Sequence, residues 1–445
     1  MTSGAPHVQI ASAPPRIFHL DIPAIWTFLK QQPASFWLIN IYLFFEYVRP
    51  HQVWPSLDIL PWAQTALLGS VVAMLLEQKP LKVVTPAGFC LMFFTIVLVL
   101  SSVMALNPSQ AYKGWELYFS WLIIYLIITN VVTTERRFFV FMLAFLLYSF
   151  KMSQHGFRSW MENGFGFASW GATGAPGWFQ NSGEFGIQMC IFVPLSVEFA
   201  LALRPHLSRW ARMILYLMPF TAIASMVASS SRGALVGGAL IALWWIVRSK
   251  HRFRTLIVVA VVGFATWSVI PVEQKTRFSQ SGDDETSTNR IVRWKAGLEM
   301  AKERPLLGIG YNNWRTYYGP LSHNIFIEAM SELGYTGLLA FLSMIGATFV
   351  VNARTRRLLK GVPTSTTFMH HMAYGLDGAL IGFMASGFFV TVLYYPFFWI
   401  NLAMTVSLHV SAQNEAVRLQ AIRRHSSILA PRTAYAGSPR RLRSG

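Results

Sequence analysis

Long apolar runs, separated by short breaks of glycine, proline and charge, fill most of this chain. Read between those breaks, the pattern gives about twelve segments of spanning character. The first six lie near Ala34–Val48, Trp62–Leu76, Pro86–Leu106, Glu116–Val132, Phe138–Phe150 and Glu184–Leu203. The second six lie near Met213–Ala228, Gly233–Val247, Phe253–Ile270, Ser322–Val351, His371–Leu393 and Pro396–Val410. A helix needs about 20 mostly apolar residues to cross a bilayer. The pattern therefore predicts an all-α polytopic membrane protein of about twelve transmembrane helices. It divides the chain into a tail over 1–33, nine spans over 34–270, one large loop over 271–321, three spans over 322–410 and a basic tail over 411–445. The polar, Pro-containing leader before Ala34 lacks the build of a cleavable signal peptide.

Composition agrees with this reading. Only 13% of residues are charged, against about 25% in a soluble chain. Phe, Trp and Tyr make up 15%, an aromatic load suited to membrane interfaces. Cys90 and Cys190 both sit inside apolar runs and read as small core residues, so neither a disulfide framework nor a cysteine metal cluster is expected.

A net charge of +18 would suit a nucleic-acid binder if the charge lay on one patch. It does not. With the N-terminus in the cytoplasm and the spans alternating, most of the 37 lysines and arginines fall on the cytoplasmic side. They include Arg16, Lys30, Lys79, Lys82, Arg136, Arg137, the stretches "RPHLSRWAR", "RSKHRFR" and "RTRRLLK", and the C-terminal tail. That is the positive-inside pattern. The basic balance then means orientation and contact with anionic lipid, and no nucleic acid. The tail "RRHSSILAPRTAYAGSPRRLRSG" reads as a disordered basic arm.

Two external loops are long enough to carry chemistry. Lys151–Gly183 is rich in glycine and aromatics and reads as a loop on the membrane surface. Pro271–Leu321 contains Thr288–Glu303, where Ile291, Trp294 and Leu298 recur at helical spacing with Arg290, Arg293 and Lys295 among them. This predicts a short amphipathic helix on the bilayer face, followed by the turn "PLLGIG". A plain scaffold helix fits that stretch equally well.

Next comes "GPLSHNIFIEAMSELG". Pro320 and Ser322 mark a helix start with Ser322 as N-cap, placing His323 in the first turn. The helix dipole there disfavours protonation, and a neutral imidazole is what a general base needs near pH 7. A lone interfacial histidine is more often structural, but Asn324, Glu328 and Glu332 keep it company, and ionisable residues in a membrane segment mark function by default. Arg232, in "MVASSSRGALVGG", falls on the same external face. Its planar donors match phosphate oxygens; the competing reading is a side chain that only snorkels to the interface.

Together these stretches resemble the bacterial O-antigen ligase and O-antigen polymerase group of membrane glycosyltransferases. The matching pieces, in order, are "SSSRGALVG", "STNRIVRWKAGLEM" with "PLLGIGYNNW", and "SHNIFIEAMSELGYTGLL", covering mainly Gly183–Leu339. The stretch "FFEYVRPHQVWPSLDILPWAQ" is similar to members found beside exopolysaccharide gene clusters. The resemblance implies a GT-C-like fold in the bacterial inner membrane, with the active site facing the periplasm. It implies a glycan donor on undecaprenyl pyrophosphate and an acceptor hydroxyl on lipid A–core (the ligase) or on a second lipid-linked glycan (the polymerase). Transfer to a protein hydroxyl is a third variant. By motif, Arg232 and Arg290 would bind the pyrophosphate and His323 would activate the acceptor, with Arg293, Asn324 and Glu184 as secondary candidates. The group's reaction is inverting and uses no cofactor or metal; against this, Asp283–Glu285 is a run of acids able to attract a divalent ion. From another class, a twelve-span transporter or flippase would place its ionisable residues near the midplane and break helices in both halves. Here the charged candidates crowd one face.

Overall fold

The computed structural model describes residues 16–78, 85–166, 171–270, 272, 275–276, 285–360 and 367–429. Among them regular structure is helical throughout: α1 Ile22–Lys30, α2 Ala34–Tyr47, α3 Trp62–Leu76, α4 Pro86–Val103, α5 Trp115–Val131, α6 Glu135–Glu162 and α7 Ser182–Leu203. The chain continues through α8 Arg209–Ala228, α9 Arg232–Arg248, α10 Arg252–Val269, α11 Glu285–Glu303, α12 Ile325–Leu358, α13 Thr367–Gly387 and α14 Pro396–Leu429. Eight helical stretches among these residues are long and apolar enough to cross a membrane. The expected count of twelve is not reached by that measure; α2 and α9, at 14 and 17 residues, are short for a span. The protein is a polytopic helical membrane protein.

α7 is the centre of the body. It is the most enclosed of the spans, buried along nearly its whole length. α13 packs on it along a ridge of small residues: a Cβ at Gly378 would fall 2.7 Å from Pro194, and one at Gly382 would fall 2.9 Å from the Cys190 carbonyl. Small residues let two membrane helices approach this closely. α10 stands at the periphery beside α9, with none of its residues buried.

Three expectations are corrected. α6 does not stop near Phe150 but runs to Glu162, so the first part of the expected loop 151–183 is helix. No glycine or proline punctuates "KMSQ", and the added turns bury Met152, Ser153, Gly156 and Trp160. Ser153 makes a 2.8 Å hydrogen bond with Thr221 of α8, which holds the extension in place. The C-terminal arm is helical up to Leu429, because α14 continues without a breaker. α12, finally, is broken inside. Gly334 takes φ 72° and ψ −176°, a conformation confined to glycine.

The chain "PLLGIG" fills that break. Ile309 N–H donates to the Ser331 carbonyl at 2.9 Å, Gly310 N–H to the Glu332 carbonyl at 3.0 Å, and Tyr335 N–H to the Pro305 carbonyl at 2.8 Å. Carbonyls freed by the kink are thus re-satisfied by another segment, as a low-dielectric setting requires. The expected turn is a plug for a split helix. The leader before residue 16, Lys79, Lys82 and the tail from residue 430 lie outside the described residues.

Candidate active site

The stretch "SSSR" is a tight helix-to-helix turn. Ser229 closes α8, Ser230 takes a left-handed φ of 51°, and Ser231 caps α9 by accepting the Ala234 N–H at 3.3 Å. The segment from Gly171 covers the turn: Ala172 N–H donates to the Ala228 carbonyl at 2.8 Å. Arg232 is the first residue of α9 and is half-buried. A cation at a helix N-terminus opposes the macrodipole by about 0.3–1 kcal/mol. An anion beside it reverses that balance, since helix N-termini favour negative charge.

His323 does not lie in the first turn of its helix, as expected, but ahead of it. The cap of α12 is Asn324, not Ser322: the Asn324 side-chain oxygen accepts from Phe326 N–H at 2.8 Å and Ile327 N–H at 3.1 Å. The Ser322 hydroxyl is instead engaged by the Asn324 backbone and by Thr391. His323 therefore precedes the cap, with a left-handed φ of 51°. Its N–H donates to Thr391 Oγ1 at 2.7 Å.

α11 clamps the other side of the same turn. Trp294 Nε1 donates to the Ser322 carbonyl at 3.0 Å and Arg293 Nη1 to the Leu321 carbonyl at 3.2 Å. The protein-facing side of α11 is set by Trp294, Gly297, Met300 and Ala301, with Arg290 and Arg293 half-buried at its start. Of the apolar positions at helical spacing, Ile291 and Leu298 are 49% and 39% exposed and face away from the protein, while Trp294 turns inward. The two arginines thus share the protein-facing side with Trp294. Burial, then Arg290 and Arg293, pull the imidazole down to about 4. His323 is neutral at pH 7.

The loop between α13 and α14, "FFVTVLYY", ties these pieces together. Thr391 holds the histidine turn, and the Leu393 N–H donates to Glu328 Oε2 at 3.3 Å. A Cβ on Gly233, next to Arg232, would fall 3.1 Å from the Ser386 carbonyl and 3.2 Å from Phe389. A Cβ on Gly183 would fall 3.4 Å from Val390, and the Tyr395 hydroxyl bonds to Glu184. Glu184, His323 and the start of α9 beside Arg232 thus meet one loop. In the sequence Thr391 lies near the end of an apolar span and Tyr395 falls in the short gap before Pro396, so neither is among the candidates. The signal was there, as hydroxyls in an otherwise apolar run.

Several companions have structural partners. Glu184 forms a capping box with Asn181 at the start of α7, and Asn324 caps α12. Glu332 accepts the N–H groups of Asn312 and Trp314, each at 3.0 Å. These bonds account for the side chains without a substrate. The acidic run falls outside the described residues at Asp283 and Asp284, and Glu285 is known only as the start of α11.

Comparison with known proteins adds the following. Residues 217–342 match the family model described as O-Antigen ligase. The chain is also similar to the exopolysaccharide production protein ExoQ of Rhizobium meliloti (strain 1021), 27% identical over 173 residues. That alignment takes in 28% of this chain, which spans about two fifths (39%) of the length of the curated relative it matches. The family match contains Arg232, Arg290, Arg293, His323 and Asn324, together with the break at Gly334 and its plug, and stops short of Glu184 and Thr391. The stretch that carries Arg232 at the start of α9, and α11 with its two arginines against the histidine turn, is thus the part of the chain that is similar to the O-antigen ligase family.

Proposed function

We propose that this protein is a metal-independent, inverting glycosyltransferase that moves a glycan from undecaprenyl pyrophosphate to a sugar hydroxyl of lipid A–core. The reaction takes place on the periplasmic face of the bacterial inner membrane. The acceptor oxygen attacks the anomeric carbon as the bond to the pyrophosphate oxygen breaks. The bonding pair leaves with undecaprenyl pyrophosphate, and the acceptor proton passes to His323. Arg232 and Arg290 hold the departing pyrophosphate, with Arg293 beside them. Fixed cations act most strongly where leaving-group charge develops at low dielectric; one such contact is worth about 2.7–4 kcal/mol in comparable sites.

The observation that carries this reading is the neutral His323, held in a left-handed turn against α11 and under the influence of two arginines. A general base must be unprotonated, and charge stabilisers must stand close by. Both conditions meet at this turn. The test is transfer by purified protein from lipid-linked glycan to lipid A–core, comparing wild type with His323→Gln. Glutamine can hydrogen-bond but cannot take up a proton near neutrality. Wild-type transfer by a folded His323→Gln would remove His323 from the role of base.

A second reading uses the same residues with a second lipid-linked glycan as acceptor, making the protein an exopolysaccharide polymerase. The name of the ExoQ relative favours it. Supplying each acceptor alone separates the two: the ligase makes glycan-bearing lipid A–core, and the polymerase lengthens the lipid-linked chain.

A further inference from the structure

We propose that the end of the bundle opposite His323 carries a binding site for the zwitterionic headgroup of an aminophospholipid, phosphatidylethanolamine. α7 fixes the geometry. Its start lies against Val390 of the loop that holds His323, and the chain just beyond its end brings His206 onto Phe18, with rings 6.4 Å apart. Its 22 residues span about 33 Å at 1.5 Å each, which is the thickness of a bilayer core.

At that far end the chain before α1 is firmly anchored. Phe18 is 2% exposed, and its ring lies 4.9 Å from Phe139 and 5.7 Å from Phe368. α1 is tied to α2 by Trp37 Nε1 donating to the Leu29 carbonyl at 3.1 Å. Between α1 and the start of α6 this leaves an open cleft of about 450 Å³. It is lined by Arg16 and Arg136, which bear guanidinium groups, by Asp21, which bears a carboxylate, and by Thr27, Gln31 and Phe28.

That set of charges selects a headgroup. Two guanidiniums suit a phosphodiester, and the carboxylate suits a primary ammonium a few atoms away. A purely anionic headgroup would leave Asp21 facing negative charge, and a quaternary ammonium could not donate to it. The place suits a lipid as well. α1 presents Ile22 and Trp26, 77% and 51% exposed, with Lys30 over the Trp26 ring at 5.4 Å. Such an edge lies in the interface with its apolar side among acyl chains. Basic pockets at the cytoplasmic boundary are recognised lipid-headgroup sites.

The test uses full-length protein in phosphatidylcholine nanodiscs doped with phosphatidylethanolamine or phosphatidylglycerol, with retained lipid measured by native mass spectrometry. Phosphatidylethanolamine is expected to be retained over both others. Asp21→Asn should lower its retention about threefold to fivefold, the worth of one part-exposed charge pair, and leave phosphatidylglycerol no weaker. The Asp21 side chain makes no capping bond to α1, so this variant is expected to fold; circular dichroism and thermal melting check that. Arg16→Gln with Arg136→Gln should weaken both lipids. Equal retention of the two lipids, insensitive to Asp21→Asn, overturns the proposal. Full displacement by inorganic phosphate at matched concentration also overturns it, assigning the pocket to free phosphate instead.

Discussion

Thr391 Oγ1 accepts the backbone N–H of His323 at 2.7 Å, and this bond joins the histidine turn to the loop between α13 and α14. The left-handed backbone at His323 costs of order 1–3 kcal/mol and persists because its surroundings over-determine it. Thr391→Val keeps the shape but removes the acceptor, leaving a half-buried donor unsatisfied. Transfer should fall about tenfold to 100-fold, the scale of a 1 Å misplacement of a catalytic group, with donor KM little changed. Thr391→Ser retains the hydroxyl and should restore most of the rate. Loss in Thr391→Ser with none in Thr391→Val would mean that the methyl packing, and not the bond, matters.

Gly334 allows the split in α12. A Cβ there would fall 2.5 Å from the Leu306 carbonyl carbon and oxygen, on top of a backbone conformation that side chains avoid. Gly334→Ala is therefore expected to cost about 3 kcal/mol or more, combining strain with overpacking. The loss should appear as a lowered melting temperature in detergent and reduced folded yield. A melting temperature unchanged from wild type would show that the plug can yield.

How much of this could be read in advance varies with the kind of interaction. Spans are legible because apolar runs report membrane burial directly. Arg232, Arg290 and His323 stood out because charge at the membrane face is costly and therefore rare. The helical spacing of Ile291, Trp294 and Leu298 does not by itself say which of them faces the protein: Ile291 and Leu298 turn outward and Trp294 inward. The cap of α12 was misplaced by two residues because Ser322 and Asn324 are both good caps and only the path of the chain chooses between them. Thr391 was hidden because its bond to His323 joins residues 68 apart in sequence. The broken helix was hidden because Gly334 is one glycine among 31.

Orientation can be checked at Tyr317, which is 54% exposed on the loop before His323. A cysteine placed there should react with a membrane-impermeant thiol reagent in intact spheroplasts. Background is expected to be low, since Cys190 is buried and Cys90 lies within α4. Labelling only after lysis would invert the proposed topology.

Arg232 distinguishes phosphate recognition from snorkelling. Arg232→Lys preserves the charge and the reach to the interface but loses the planar fork. If two N–H donors grip the pyrophosphate, transfer should fall about 100-fold or more, as when one preorganised donor is lost. Near-normal transfer would support the snorkelling alternative. The pairing with position is informative too, because a lysine at the first turn of α9 opposes the dipole as much as the arginine does. Stability should therefore barely change while activity does.

The last prediction concerns pH, and its sign follows from the surroundings of His323. Burial and the two nearby guanidiniums place the imidazole near 4 in the free protein, below the ordinary value of about 6.5. Such a histidine is neutral over the whole physiological range but is a weak base, and catalytic efficiency favours a base poised near the working pH. The donor supplies the correction. A bound pyrophosphate brings negative charge to Arg290 and Arg293, offsetting the field that lowers the imidazole, so its proton affinity rises when substrate arrives. The acid limb of kcat/KM for the donor, which reports the free enzyme, should therefore lie near pH 4. The acid limb of kcat at saturating donor should lie higher. Arg293→Gln removes one depressing charge and should move the free-enzyme limb upward, narrowing the gap. Folding stability follows the same linkage: as pH falls from about 6.5 toward 4 the unfolded chain takes up a proton that the folded one refuses, so His323 costs stability in that window and His323→Gln relieves it. Coincident acid limbs for kcat and kcat/KM, unmoved by Arg293→Gln, would show that the arginines do not tune the base.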